Sequence, residues 1–400
     1  MSVEISEMNI LLLTGTQMRK NDGWFVFYNQ LSHYFKSNGI ACNLFNIYWK
    51  SDVEDCNDLV EGLKVKDFGT YNTDRNIKDV ISFLEQKNID VIFNLNIPVN
   101  YLRRFLYYIK KRKVQIYIFE LLHSTPNLVV QNKKILLREK DWHSIISFQD
   151  FLKWRFQSVY LFILKQIVKV RIRYALKMYD RIVVLSDKYV IEYLNLAGLE
   201  SSPKVVAIPN PKPVLNDNIL IKKKKQILYV GRLSEEKGVH RLLYIWKKVY
   251  LVLTDWELII VGDGPDRNRC LSLSNKLSLD RIHFVGYQKS IPYIKEASIL
   301  CLTSNVEGLP TVFLEAMELK TVIIGFNTFS AIYDLIHDNE TGFIVPAFDF
   351  ELYAKRIIQL AINDEKREKM ANRAQELVKN YDITQVGFLW KSVFQELKLI

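Results

Sequence analysis

Short apolar runs alternate with amphipathic stretches along the whole chain. Asn9-Ile10-Leu11-Leu12-Leu13-Thr14 has the pattern of a buried strand, and a polar loop containing Gly15 and Gly23 follows it. Phe25 to Ser37 then shows helical periodicity. Val91–Leu95, Val114–Phe119 and Asp180–Ser186 read as further strands. A second series runs through Gln226–Gly231, Glu257–Gly262, Ile282–Gly286, Ile299–Leu302, Val322–Gly325 and Gly342–Val345. Strands alternating with helices predict parallel sheets with crossover helices. Gly231, Gly262, Gly286 and Gly325 close four of the strands, where backbone can come close to a ligand. The proline-rich stretch Ile208-Pro209-Asn210-Pro211-Lys212-Pro213 separates the two series. The expectation is two doubly wound, Rossmann-like α/β domains facing across a cleft, over 1–208 and 209–383.

Composition adds constraints. With 49% hydrophobic and 25% charged residues in 400, the chain reads as ordinary and globular. Cys42, Cys56, Cys270 and Cys301 form no C-x-x-C pair, which fits a reduced, cytoplasmic compartment. Met1 to Glu7 has no apolar core, so no signal peptide is expected. The longest apolar stretch, Phe156 to Val170, is broken by Lys165 and falls short of a membrane span. Net charge is +11, and residues 101–178 hold 17 Lys/Arg against 4 Asp/Glu, so this one segment accounts for the imbalance. Within it, Phe151 to Lys177 carries seven cations and no acid, interleaved with Trp154, Phe156, Tyr160 and Phe162. Two readings stay open: a basic amphipathic helix on an anionic membrane surface, or a charged helix over a domain core. No nucleic-acid motif is present, and no nucleic acid is expected as partner.

Four segments carry candidate chemistry. Thr303 to Met317 places Glu307 in a Gly-Leu-Pro turn and Glu315 in the helix that follows. Pro310 suits a first helical position, and the helix N-terminus seats phosphate. A carboxylate nearby takes ribose hydroxyls. The alternative is a strand-loop-helix unit with two surface glutamates. Tyr229 to Gly238 places Arg232 and Lys237 in one loop at a strand's end, a fork and a point charge suited to a diphosphate. The alternative is a solvated charged loop. His123 follows the Ile116–Phe119 strand, where it would meet sugar hydroxyls and change charge near neutral pH, or else be a partly buried structural histidine. Tyr287 follows the Ile282–Gly286 strand as a base-stacking or a packing residue.

Taken together these segments resemble the retaining glycosyltransferases of family 4, which have the GT-B fold. Glu307 and Glu315 match the E-x7-E signature, and Gly231 to Gly238 matches G-R-x-x-x-x-K-G at every defined position. Val261-Gly262-Asp263-Gly264-Pro265 is similar to the family's G-x-G-P element, and Tyr179–Ser186 and Val205–Asn210 are similar to its elements before the linker. The resemblance is specific over 226–346 and looser over 1–150. Pro211 stands where the family usually has glycine, and the Thr14–Gly23 loop lacks paired glycines.

The resemblance implies an acceptor-binding first domain completed by a C-terminal helix at about 384–400. It implies a UDP-sugar donor whose diphosphate meets Arg232, Lys237 and Gly23, whose ribose meets Glu315, and whose base meets Tyr287. Glu307, with Gly308, Leu309, Pro310 and Thr311, would position the donor sugar, and His123 would touch its hydroxyls. It implies transfer with retention, no metal and no cofactor beyond the nucleotide sugar. The expected acceptor is a glycan, polyprenyl-diphosphate-linked, in bacterial O-antigen, capsule or related surface-polysaccharide assembly at the inner face of the membrane. Alternatives are a GT-B nucleotide-sugar epimerase and a non-enzymatic basic protein on membrane or nucleic acid.

Overall fold

The computed structural model describes residues 6–14, 23–48, 60–65, 74–95, 97, 102–111, 116–139, 148–214 and 222–400. They form two compact units, one of Met1–Asn127, Ser158–Pro211 and Ile383–Ile400, the other of Leu128–Gln157 and Lys212–Asp382.

The first unit holds β1 (Ser6–Leu13), β2 (Ile40–Tyr48), β3 (Gly62–Lys64), β4 (Val91–Leu95), β5 (Tyr117–Leu122), β6 (Arg181–Val184) and β7 (Val205–Ala207). They pair in the order β3-β2-β1-β4-β5-β6-β7, all parallel. β5 runs further than the apolar run around Val114–Phe119 suggested, because Glu120 enters the ladder opposite Asn94. β2 carries Asn43 and Asn46, which break its apolar pattern. Each is satisfied within the sheet, Asn43 by Asn9 at 2.8 Å and Asn46 by Thr14 at 2.7 Å. Asp180, before β6, accepts from the Ile118 N–H at 2.9 Å and ties β6 to β5.

The C-terminal helix Ile383–Glu396 belongs to this unit and packs on the helix Gly23–Ser37. Phe394 meets Phe35 at 5.5 Å, and Trp390 meets Phe93 at 5.2 Å. Gly387 lies so close to the Tyr34 ring that a Cβ there would collide with it. Truncating buried Trp390 would cost about 3–5 kcal/mol.

The second unit holds β8 (Lys224–Val230), β9 (Glu257–Val261), β10 (Ile282–Gly286), β11 (Ala297–Leu302), β12 (Val322–Phe326) and β13 (Gly342–Val345). Their order is β10-β9-β8-β11-β12-β13, again all parallel. β11 and β12 are buried at every position, as expected of strands covered on both faces. Lys212, at the start of this unit's main segment, pairs with Glu318 at 2.7 Å and Asp382 at 3.0 Å. The helix Leu128–Glu139 groups with this unit although the chain order places it among the first unit's strands. Gln131 donates to the Thr328 carbonyl, and Asn305 donates to the Asn132 side chain at 3.2 Å.

The basic stretch is two helices, Phe148–Arg155 and Gln157–Met178. Among the described residues no helix is long and apolar enough to cross a membrane.

Candidate functional site

In a doubly wound sheet, ligands bind beyond the carboxyl ends of the strands, where the strand order reverses. In the second unit that point lies between β8 and β11, which are neighbours in the sheet but distant in sequence. The loops leaving these two strands are 231–238 and 303–310, the two segments with the candidate charges.

The loops are tied to each other by backbone. The Asn305 N–H donates to the Glu236 carbonyl at 2.8 Å, and the Thr303 hydroxyl to the Gly238 carbonyl at 2.9 Å. Gly238 has φ +63°, and a Cβ there would strike the Thr303 carbonyl and the Arg241 guanidinium. Only glycine permits that approach. Arg241 is itself 1% exposed; it donates to the Thr303 carbonyl at 3.0 Å and stacks on the Phe348 ring at 4.7 Å. The β9 loop supports the β8 loop from the other side. A Cβ on Gly262 would strike the Gly231 carbonyl, and the Leu233 N–H donates to Asp263 O at 2.9 Å. The G-x-G-P segment is thus a backbone buttress.

This bracing brings Lys237 and Glu307 together. Lys237 Nζ lies 2.8 Å from both Glu307 carboxylate oxygens, and Glu307 is only 8% exposed. Arg232, at the start of the same loop, is exposed, and its guanidinium has no hydrogen bond or ion pair among the described residues. One cation is therefore paired and one is open. Ser304 Oγ and Asn305 Oδ1, just before Glu307, are buried without a hydrogen-bond partner among the described residues.

The helix after the turn is Thr311–Glu318, with Pro310 in the N-cap position rather than inside the first turn. The shift changes little, because proline withdraws no needed donor at either place. Gly308, Leu309 and Pro310 are buried, while Thr311 at the helix start is exposed. The first N–H groups of the helix have no intrahelical partner. One turn on, Glu315 accepts from the Ser290 hydroxyl at 2.9 Å. Burial raises the Glu315 carboxyl above its ordinary range, and the Ser290 bond opposes that shift. Ser290 starts the helix Ser290–Glu296, which follows the β10 loop bearing Tyr287. Tyr287 is 86% exposed, so packing is not its role here.

The first unit supplies the other two candidates. Gly23 is the first residue of the helix Gly23–Ser37, and the loop before it, 15–22, lies outside the described residues. His123 leaves the end of β5. The segment after it is anchored by Thr125, whose hydroxyl donates to Glu192 at 2.8 Å, and by the Asn127 N–H to the same carboxylate at 3.2 Å. His123 keeps part of its surface accessible, yet dense surroundings desolvate the ring and push its pKa down to about 3. The expected charge change near neutral pH is therefore corrected: the imidazole stays neutral there. Three positions behind it, burial pushes the Glu120 carboxyl up to about 8.

Sequence reasoning missed Arg241, Ser290 and Asn305. A lone arginine, serine or asparagine has no local signature. A hint for Arg241 was its place three residues after Gly238, on the first turn of the Val239–Val249 helix.

Comparison with known proteins places these residues in context. Residues 214–377 match the family described as glycosyl transferases group 1. An uncharacterised glycosyltransferase of Haemophilus influenzae is 31% identical, over 47% of this chain and 54% of its own length. A Campylobacter jejuni alpha-1,4-N-acetyl-D-galactosaminyltransferase, whose name carries a GalNAc chain on diNAcBac-PP-undecaprenol, is 29% identical over 44% of this chain and 49% of its own. The chain spans about half the length of these curated relatives. The structure of Anabaena HepE in complex with UDP and glucose superposes with a TM-score of 0.69 at 15% identity, covering 97% of this chain and all of that one. Two all-parallel, doubly wound units with this correspondence identify the fold as that of the GT-B glycosyltransferases.

Proposed function

We propose that this protein is a glycosyltransferase that moves a sugar from a UDP-sugar to a glycan acceptor, with retention, in the assembly of a bacterial surface polysaccharide. The observation that carries the reading is the convergence at the β8/β11 reversal of a paired cation, an open cation and two glutamates in different environments. The charged loops suit a diphosphate, and the carboxylate held by a serine hydroxyl suits a ribose diol.

In this reading Arg232 and Lys237 take up the charge that develops on the departing diphosphate. Gly23 lets backbone approach the same phosphates. Glu315 accepts from the ribose hydroxyls, and Tyr287 stacks on the base. Glu307 and the backbone of Gly308, Leu309, Pro310 and Thr311 orient the donor sugar, and neutral His123 exchanges hydrogen bonds with its hydroxyls. The acceptor attacks the face from which the nucleotide leaves, and a donor phosphate oxygen takes its proton. Glu307 is then a positioning group and not a nucleophile. No metal or further cofactor enters this scheme. The PP-undecaprenol in the Campylobacter relative's name supports the proposal of a polyprenyl-diphosphate-linked acceptor, and with it the proposal of work at the cytoplasmic face of a membrane.

Calorimetry against UDP-, GDP- and ADP-sugars tests the donor site, with Arg232→Ala and Glu315→Ala as controls. Binding of a UDP-sugar that both variants lose is the expected result. A folded protein that binds no nucleotide would remove the proposal. Transfer to an added polyprenyl-linked glycan, with the product anomer read by NMR, separates a retaining transferase from an epimerase.

A further inference from the structure

The helix Gln157–Met178 has two apolar faces, and the fold uses one. Val168, Ile172 and Ala175 are buried and share a stripe at helical spacing. On the opposite side Val159, Phe162, Ile163, Ile167 and Val170 are 43 to 68% exposed. Spacings of four, four and three residues along 159, 163, 167 and 170 make them one ridge. Tyr174, four residues beyond Val170, continues it. Five large exposed hydrophobics in line on one helix are a contiguous patch, and such patches mark interaction surfaces.

The charges on the helix itself are all of one sign. Lys165 and Arg171 are exposed, and no acid occurs between Asp150 and Asp180. Two other cations of the helix are explained locally. Arg173 donates to the Ala197 carbonyl at 2.7 Å, and Lys169 lies beside Gly198, where both offset the C-terminal end of the helix Asp187–Ala197. A second basic helix, Arg103–Lys111, borders the same surface. Its Arg103 stacks on the Tyr174 ring at 5.6 Å, and it exposes Arg104, Tyr107 and Lys111 without an acid of its own.

We infer that the outer face of the Gln157–Met178 helix is a docking surface for an anionic lipid bilayer. The ridge enters the boundary between headgroups and acyl chains, and the flanking cations meet lipid phosphates. The helix lies in the interface plane and does not cross it. Charge complementarity selects this occupant, because an apolar ridge on a helix whose charges are all cations, beside a second acid-free basic helix, matches a phosphate layer over hydrocarbon. None of these residues is among those proposed to bind the donor.

The test is flotation of the full chain with vesicles of phosphatidylglycerol in phosphatidylcholine, and of phosphatidylcholine alone, across a salt series. The protein should float with the anionic vesicles and lose most of that binding at high salt. Phe162→Ser/Ile163→Ser/Val170→Ser should weaken partition on the order of 100-fold. Lys165→Glu/Arg171→Glu should weaken it by about 10-fold or more, on the anionic vesicles only. Both variants should melt as the parent does, because the altered side chains are exposed, and should keep UDP binding. Flotation that survives the ridge substitutions would overturn the inference, as would a folded, nucleotide-binding protein that never floats. Sedimentation velocity covers the other occupant: a dimer that the ridge substitutions dissociate, with no flotation by the parent, would assign the ridge to a second copy of the chain. Flotation without any nucleotide binding would leave this inference standing and remove the donor-site proposal instead.

Discussion

The two sheets present opposite electrostatics at their carboxyl edges. In the second unit, charge is kept and organised: Lys237 clasps Glu307 at 2.8 Å, and Arg232 stays open to solvent. In the first unit, charge is suppressed. Burial drives the Glu120 carboxyl up to about 8 and the His123 imidazole down to about 3, so both are neutral at pH 7. Similar strand topology thus yields one edge with organised charge and another with its titratable groups held neutral, which the proposed function matches to phosphate and to uncharged hydroxyls. The difference is that the second unit's carboxylate is held in an ion pair, whereas desolvation decides the charge state of the first unit's groups. Glu307 has Lys237, whereas the Glu120 carboxyl is raised by burial alone, and its neighbours Tyr179 and Tyr193 stay neutral.

The sharpest way to break the comparison is to remove the partner. Lys237→Ala takes the ion-pair partner from a nearly buried Glu307, which should cost about 2–3 kcal/mol in stability, discounted for the partial exposure of the lysine. Transfer, as kcat/KM, should fall about 1,000-fold. Lys237→Ala/Glu307→Gln should recover most of the stability and none of the activity, read by denaturant unfolding beside a transfer assay. If Lys237→Ala unfolds no more easily than the parent, pairing is not what keeps charge at this edge.

Glu315 tests the same edge with a smaller effect. Glu315→Ala should weaken UDP binding by about 10- to 100-fold, as loss of hydrogen bonds to a charged acceptor does. Ser290→Ala should weaken it by about 5-fold, because the hydroxyl only orients the carboxylate. Equal losses in the two variants would mean that Ser290 itself touches the ligand.

How much of this was legible beforehand depended on whether the signal was local. β8, β9 and β11 are continuous apolar runs because helices cover both faces, and such runs show in a sequence without context. Gly231, Gly262 and Gly286 follow directly from strands that must turn toward a crevice. β2 was not visible, because Asn43 and Asn46 interrupt its apolar pattern and bond to side chains 32 to 36 positions away. The helix Leu128–Glu139 groups with the second unit, and its bonds, from Gln131 to the Thr328 carbonyl and from Asn305 to Asn132, span 197 and 173 positions and leave no trace in periodicity. Ser290 and Arg241 act at a distance in sequence from the loops they hold. The His123 charge state was misjudged because desolvation comes from the whole surroundings and not from the neighbouring residues in sequence.

The neutral edge makes its own predictions through stability. Glu120 binds a proton in the native state up to about pH 8, against 4.5 for the ordinary carboxyl, so the native state holds more protons than the unfolded one in that window. Stability contributed by the protonated form is complete below about pH 4.5 and is lost as pH rises through 8. Glu120→Gln removes this loss and should stabilise the protein above pH 8 by about 1–3 kcal/mol, with little change at pH 5. Thermal melts at the two pH values decide it. A uniform shift at both would assign the residue a packing role and remove it from the comparison.

His123 gives the smallest and most specific effect. Its folded pKa lies at about 3 and the ordinary value is 6.5, so the unfolded state holds more protons between them, and stability falls as pH drops below 6.5. Transfer should therefore show no inflection near 6.5 from this residue. His123→Gln, which keeps a neutral side chain able to donate and accept, should lower kcat/KM by only about 5-fold and flatten the acid limb of the stability curve. An inflection near 6.5 in the parent that disappears in His123→Gln would show a ring that ionises in the working enzyme. The first unit's edge would then carry charge as the second unit's does, and the division between a phosphate edge and a hydroxyl edge would fail.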